Sequence, residues 1–276
     1  MILKRRTSLH LIAGALVAAS CGKSTFNRVR VASTRSDTNA LIAEIYAAAL
    51  ERAGIPVERH MRFGSEVDVA DALERGDVDL YPGDASDRFQ SGTDLARLDA
   101  SPANDSPCLA TSQYNAEKYW LLSLSACARM ARDLRLAAAS DFIAPGGPLD
   151  RLRERYGGFR FRSILPCDPG TQYYTLNSDK ADVVNAVTID ASIAEDQLVI
   201  LADDKRFWPQ RRSAPVVRLA SIRQHPRARA VLNQVSKRIT LFALQQMNMR
   251  RKLFHLDAYD IAAEFVRVGP YPHAPQ

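Results

Sequence analysis

In the first third of the chain, the spacing of apolar positions switches repeatedly between a period of two and a period near 3.6. Val29-Arg30-Val31-Ala32-Ser33 alternates as a strand and runs into the polar turn Thr34-Arg35-Ser36-Asp37. Leu41, Ile42, Ile45, Ala49 and Leu50 then recur at helical spacing, with Asp37 as N-cap and Gly54 as the stop. Val57 to Phe63 reads as a second strand. Ser65 and Asp68, spaced as a capping box, open a second helix with Val69, Ala70 and Leu73 on one face. Gly76-Asp77-Val78-Asp79-Leu80-Tyr81-Pro82-Gly83-Asp84 closes that helix, gives a short strand, and turns at Pro82 and Gly83, which are expected to end it. Strand, helix, strand, helix, strand predicts a parallel sheet with right-handed crossovers. Ligands bind beyond the carboxyl ends of such strands, which points to Tyr81 to Asp87.

The middle of the chain repeats the alternation. Cys108 to Thr111 is a short apolar run, Leu122 to Arg132 a helix, Leu134 to Ala138 a strand and Leu149 to Tyr156 a helix. Phe159 to Leu165 is a strand, a helix starts at Thr171, and Ala181 to Val187 is a strand ending at Thr188-Ile189-Asp190. Ala214 to Arg218 is a strand-like return, followed by helices over 227–236, 240–251 and 258–266. The fold class is therefore α/β, with a second α/β lobe in the middle of the chain.

Composition changes this picture little. With 276 residues, 46% apolar and 25% charged, the chain is an ordinary globular one, long enough for one large or two medium domains. The formal charge of +6 includes Lys4, Arg5 and Arg6 of a segment expected to be removed, and the +3 that is left gives no argument for nucleic acid. That segment has a basic start, an apolar run from Leu9 to Val17, and Ala18-Ala19-Ser20-Cys21. This reads as a secretory signal whose Cys21 resembles a bacterial lipobox cysteine, with Ala18 where the pattern prefers Leu. Export, lipidation at Cys21 and a periplasmic or envelope location are expected; plain cleavage after Ser20 is the alternative. Cys108, Cys127 and Cys167 form no C-x-x-C motif. They allow one disulfide and one free thiol or three buried thiols.

Several blocks resemble one family. They are Leu41-Ile42-Ala43-Glu44-Ile45-Tyr46, Leu50-Glu51-Arg52-Ala53-Gly54, Phe63-Gly64-Ser65 and Ala72-Leu73-Glu74-Arg75-Gly76-Asp77-Val78-Asp79-Leu80-Tyr81-Pro82. Leu198 to Asp204, Ala214-Pro215-Val216-Val217-Arg218, Met247-Asn248 and Ala262-Ala263-Glu264-Phe265 follow in order. They are similar to the substrate-binding proteins of osmoprotectant ABC transporters for glycine betaine, choline and carnitine, the quaternary-amine branch. The resemblance implies a two-lobed clamshell of the type II periplasmic-binding-protein class, each lobe a mainly parallel sheet flanked by helices. It also implies a small cationic or zwitterionic ligand between the lobes and delivery to an inner-membrane ABC permease. The expected organisation is a signal over 1–21, a tether over 22–27, lobe one from 28–107 and 213–268, lobe two over 108–212 and a loose tail over 269–276.

Two elements of the implied ligand site depart from the family. Where relatives continue Asp-x-Tyr-Pro with Glu-Tyr-Thr-Gly, this chain has Gly83-Asp84-Ala85-Ser86; where they have Thr-Asp-Gly, it has Thr188-Ile189-Asp190-Ala191. Tyr81 is a candidate wall for a methylated cation or a ring buried at the sheet edge. Asp84 and Asp87 are candidate partners of an ammonium group, or solvated turn residues. Ser65 is a helix cap that can also face an anionic group. Asn104 and Asp105 match a family Asn, with turn formation at Pro102 as the alternative. Thr188 and Asp190 belong to the altered second element. Trp208 and Tyr173 are candidate replacement walls or core aromatics, and Arg218 a candidate for a ligand carboxylate or an ion pair between lobes.

No G-x-S-x-G, H-E-x-x-H, P-loop or G-x-G-x-x-G motif occurs, and the five histidines are scattered. The expectation is a monomeric, non-enzymatic solute receptor with no cofactor and no metal. A diverged clamshell acting as a sensor or envelope partner is the alternative, motivated by the altered turn at Gly83 to Ser86.

Overall fold

The computed structural model describes residues 28–86 and 94–269. The signal segment with Cys21, the tether, Asp87 and the last seven residues lie outside the described residues. The chain opens with β1 (Val29–Thr34), α1 (Asp37–Arg52), β2 (Val57–Gly64), α2 (Glu66–Arg75), β3 (Leu80–Asp84) and β4 (Leu95–Arg97). It continues through β5 (Pro107–Thr111), α3 (Gln113–Tyr119), α4 (Leu124–Met130), β6 (Arg135–Ala139), α5 (Ser140–Ile143), α6 (Pro148–Tyr156) and β7 (Ser163–Cys167). After α7 (Gln172–Asn177), β8 (Val183–Val187), α8 (Ala191–Glu195) and β9 (Val199–Ile200), the chain returns in β10 (Ser213–Arg218). It ends in α9 (Leu219–Gln224), α10 (Ala228–Arg238), α11 (Leu241–Phe254) and α12 (Ala258–Val268).

These strands form two five-stranded sheets, ordered β2-β1-β3-β10-β4 and β7-β6-β8-β5-β9. Each sheet has three parallel strands from a β-α-β-α-β run, as the alternation predicts, and gains antiparallel neighbours from the segments that cross between lobes. Strands β5 and β10, which carry the crossings, therefore lie inside the sheets, where their pairing fixes each lobe to the hinge.

One arrangement sets the register at the start of both parallel runs. In the first lobe Asp79, just before β3, accepts from the backbone N–H of Arg30 at 3.0 Å and from its guanidinium at two 2.9 Å contacts, while the Asp79 N–H donates to the Arg30 carbonyl. In the second lobe Asp182, just before β8, does the same with Arg135, at 2.7 Å to the backbone and 2.9 and 2.8 Å to the guanidinium. Both carboxylates are buried and fully paired by a planar fork, the arrangement in which a buried charge is tolerated.

Around this frame, α1 buries Leu41, Ile45, Tyr46 and Leu50 completely against the first sheet and α12. The second lobe has its own core of Leu109, Leu124, Leu136, Phe159 and Val183. Helix α11 lies astride the two. Its Ala243, Leu244 and Met247 join the first core, while Gln245 and Asn248 donate to the carbonyls of Thr188 and Ile189 at 2.6 and 2.9 Å.

The sequence reading needs three local corrections. The cap of α1 is Ser36, whose side chain accepts from the Asn39 N–H, rather than Asp37. Strand β3 continues through Pro82 and Gly83, because Pro82 faces Pro215 across an antiparallel pair that exchanges no backbone hydrogen bond, and Asn39 covers the Pro82 carbonyl at 2.7 Å. The run at Phe159 is not a strand. Phe159 has φ +59° and fills the core beside Tyr156, and β7 begins only at Ser163.

The fork yields a pH prediction. Burial pushes the Asp182 carboxyl up, but the hydrogen bonds from Arg135 outweigh it and hold the group below its ordinary value of 3.8. A depressed carboxyl adds stability above the unfolded value and loses it as pH falls through the folded one. Asp182→Ala is expected to cost roughly 2–4 kcal/mol at neutral pH, below the range for a fully buried pair because part of the guanidinium stays hydrated. The deficit is expected to shrink in denaturant melts run below pH 4, where the wild type loses the same contribution.

Candidate functional site

The carboxyl ends of β1, β2 and β3 bring Thr34, Gly64 and Asp84 to one edge of the first sheet, and α1 and α2 begin there at Ser36 and Ser65. Over this edge lies a cavity of about 350 Å³. Its walls come from Arg35, Ser36, Asn39, Ser65, Glu66 and Asp84, and from Ser101, Asp105, Arg211, Arg212 and Ser213 of the crossing segments. The first turns of two helices leave backbone N–H groups directed outward at such an edge, a setting that favours an anionic group. Ser65 itself is committed to its capping box, donating to Asp68 at 2.8 Å and accepting from the Asp68 N–H at 3.2 Å.

Acidic and basic side chains mix at the hinge side, where Asp84 and Asp105 stand with Arg211 and Arg212. Asp84 holds the Ser86 N–H and hydroxyl at 2.7 Å each and lies 3.7 Å from the Arg211 guanidinium. Asp105 is half-buried, and its side chain makes no hydrogen bond among the described residues. Burial pushes its carboxyl above the ordinary value of 3.8, Arg211 pulls it back, and the charges of Asp190 and Asp84 push it up again. Ser101 is 0% exposed and its hydroxyl has no partner among the described residues. A buried hydroxyl in this state is costly unless something completes its hydrogen bond. No aromatic side chain lines the cavity among the described residues.

Hinge contacts involve other residues named from the sequence. Asn104 accepts from the Arg211 N–H at 2.8 Å and lies 2.8 Å from the Ser106 hydroxyl, and its carbonyl accepts from the Thr188 hydroxyl. The Thr188 N–H donates to Ser106, so the altered Thr188-Ile189-Asp190 element is tied to the first crossing. Asp190 accepts from the Val187 N–H at 2.9 Å and from the Tyr173 hydroxyl.

A family model described as the substrate binding domain of ABC-type glycine betaine transport systems matches residues 27–268. The chain belongs to this family. As a member it is the extracytoplasmic substrate-binding component of an ABC transport system. The ergothioneine transport permease/ergothioneine binding protein EgtU of Helicobacter pylori (strain G27) is 27% identical over 262 residues. That alignment covers 87% of this chain and 47% of the longer relative. The glycine betaine-binding protein YehZ of Escherichia coli (strain K12) is 28% identical over 297 residues, which is 94% of this chain and 97% of YehZ. A solved glycine betaine/carnitine/choline ABC transporter structure has the same fold, with a TM-score of 0.78 at 23% identity, covering 87% of this chain and 98% of its own. The two-lobed type II clamshell expected from the resemblance is thus the fold of this substrate-binding protein.

The site residues read from the sequence fall into separate groups in this binding protein. Ser65, Asp84 and Asp105 share the cavity described above. Asn104, Thr188 and Trp208 line a different cavity of about 590 Å³ between the crossings and β9. In it Trp208 packs on Phe207 at 4.5 Å, and its indole N–H is buried without a partner among the described residues. In lobe two the buried Tyr173 donates to the half-buried Asp190. Tyr81 is only 2% exposed, packed with Ala32, Val69, Leu73 and Val216, and it does not line the cavity. Arg218 stands at the far end of β10, 3.9 Å from Asp79, with its guanidinium against Gly76. Neither is therefore carried into the ligand set proposed below. Cys108, Cys127 and Cys167 are all free thiols. Burial pushes Cys127 up to about 12, so it stays protonated.

Arg35, Glu66, Ser101, Arg211 and Arg212 are lining residues that the sequence reading did not single out. Arg35 was recoverable, since it lies in the polar turn after β1 and the strand-end rule applies there as it does after β3. Ser101 and Arg211 carried no such signal, because they meet only through the Ser101 to Ser213 pairing of two distant crossing segments.

Asp105 supplies the test of these electrostatics. A carboxyl raised on folding destabilises the protein above its folded value, so Asp105→Asn is expected to raise the melting temperature of the ligand-free protein at pH 7. The same substitution is expected to weaken binding of any cationic ligand by about tenfold or more. Differential scanning calorimetry and titration calorimetry on one preparation check both directions.

Proposed function

We propose that this protein is a monomeric envelope receptor, anchored through Cys21, that captures a small zwitterion or cation of the amine class and presents it to its permease. The observation that carries this reading is the half-buried Asp105, whose carboxyl makes no side-chain hydrogen bond among the described residues, beside Asp84 and Arg211 in a cavity whose other wall has two helix N-termini and Arg35. A ligand with a carboxylate directed at the helix starts and an ammonium at Asp105 and Asp84 would meet both needs. The Ser101 hydroxyl would gain a partner from the same ligand.

This arrangement favours cations that keep N–H donors. A trimethylammonium offers no N–H to a carboxylate and is held chiefly by aromatic faces, which contribute roughly 0.5–2 kcal/mol per good contact. Since the described walls of the cavity carry no aromatic ring, a protonated amine or guanidinium gains more here than a methylated one. Betaine-class naming of YehZ and the ergothioneine naming of EgtU support a zwitterionic ligand in general terms. Ligand contact with both lobes would shift a hinge equilibrium, and the tie between Thr188 and Asn104 makes the crossings the natural pivot. Asn104 and Thr188 are then pivot groups rather than ligand contacts.

The experiment is a thermal-shift panel of betaine, choline, carnitine, ectoine, polyamines and basic amino acids, with calorimetry on each hit. Glycine betaine is expected to bind with Kd above about 100 μM, corresponding to roughly 5.5 kcal/mol, and a protonated amine of similar size more tightly. Micromolar betaine binding that survives Asp105→Asn and Asp84→Asn would overturn the preference.

A further inference from the structure

A second charged cavity sits at the other end of α1, about 24 Å from the first by the rise of a helix of this length. Its volume is about 440 Å³, and the last turns of α1, α10 and α12 converge on it. Val231, Val235 and Val266 form an apolar side, while Arg52, Arg238 and Arg267 bring three guanidiniums, and no carboxylate lines it among the described residues.

The blandest account is that the arginines answer the partial negative charge of three helix C-termini. That charge amounts to about half an elementary charge per helix, so three full positive charges leave an excess of about 1.5. Arg238 is fixed in place, donating to the Phe265 carbonyl at 2.5 Å with its guanidinium 5.0 Å over the Phe265 ring. Its Nε is buried with no partner among the described residues. Burial and the charge of Arg52 both disfavour its positive form. Glu264 is held by Arg250 at 2.8 Å and reaches Arg267 of the cluster only through its charge.

We propose that this cavity binds an oxyanion of the phosphate class, its charge met by Arg52, Arg238 and Arg267 and any short apolar substituent by the valines. Guanidinium forks suit the oxygens of such a group, and the fixed Arg238 loses little freedom on binding. A phosphate could be free in solution or be the headgroup of an anionic lipid at a membrane surface.

The test uses the full mature chain with two probes, inorganic phosphate in titration calorimetry and flotation with phosphatidylglycerol or phosphatidylcholine vesicles. Arg52 and Arg267 are exposed, so Arg52→Gln and Arg267→Gln are expected to leave the fold intact. Each is expected to lower affinity for the bound probe by about tenfold or more. Phosphate binding without flotation would mark a soluble phosphate compound, and flotation on anionic vesicles alone a lipid headgroup. Absence of binding to both probes would overturn the proposal, as would binding that is equal in wild type, Arg52→Gln and Arg267→Gln.

Discussion

The buried fork between an arginine at the start of one strand and an aspartate before the next parallel strand governs the geometry of both lobes. Arg30 with Asp79, and Arg135 with Asp182, each join side chain and backbone in one planar unit, at a point where a shift of one residue would strand a buried charge. With the amino ends of these strands held in register, their carboxyl ends reach the cleft at fixed heights. Thr34, Gly64 and Asp84 meet at one edge for this reason, and with them the starts of α1 and α2. The device is used twice, so the two lobes present equivalent edges.

The crossings add a different kind of constraint. Residues 101–106 run beside 209–213 with backbone pairs such as Asp105 to Arg211 at 2.7 Å and Ser101 to Ser213 at 2.8 Å. This pairing puts the carboxylate of Asp105 next to Asp84 of lobe one and within electrostatic reach of Asp190 of lobe two. It also half-buries it. Three acids are thereby gathered at the pivot, where a cation interacting with them would act on both lobes at once. Helix α11 limits how the lobes move, because it packs in the first core and also hydrogen-bonds to the Thr188 and Ile189 carbonyls of the second.

Much of this was legible in the sequence wherever the signal was local. The capping box at Ser65, the glycine stops at Gly54 and Gly76, and the alternation through β1 and β2 each depend on neighbours a few residues apart, and the structure has them. The family resemblance, carried by ordered blocks, gave the clamshell. What failed depended on distant partners. Pro82 reads as a strand end until Pro215 is seen opposite it, and of the two readings left open for Tyr81, cage wall or ring buried at the sheet edge, the cover of Val216 and α2 favours the buried ring. The fork left a trace that was overlooked. Arg30 and Asp79 are 49 residues apart and Arg135 and Asp182 are 47 apart, so the same pair recurs at nearly the same spacing in each lobe.

The central claim is that the ligand's cationic end carries N–H donors and is held by Asp105 with Asp84. Native mass spectrometry of the protein purified from its own cell envelope tests it most directly, comparing wild type with Asp105→Asn. The account expects a co-purifying small zwitterion with a protonated amine or guanidinium on the wild type, and its loss from the variant. A quaternary ammonium compound retained equally by both would contradict it.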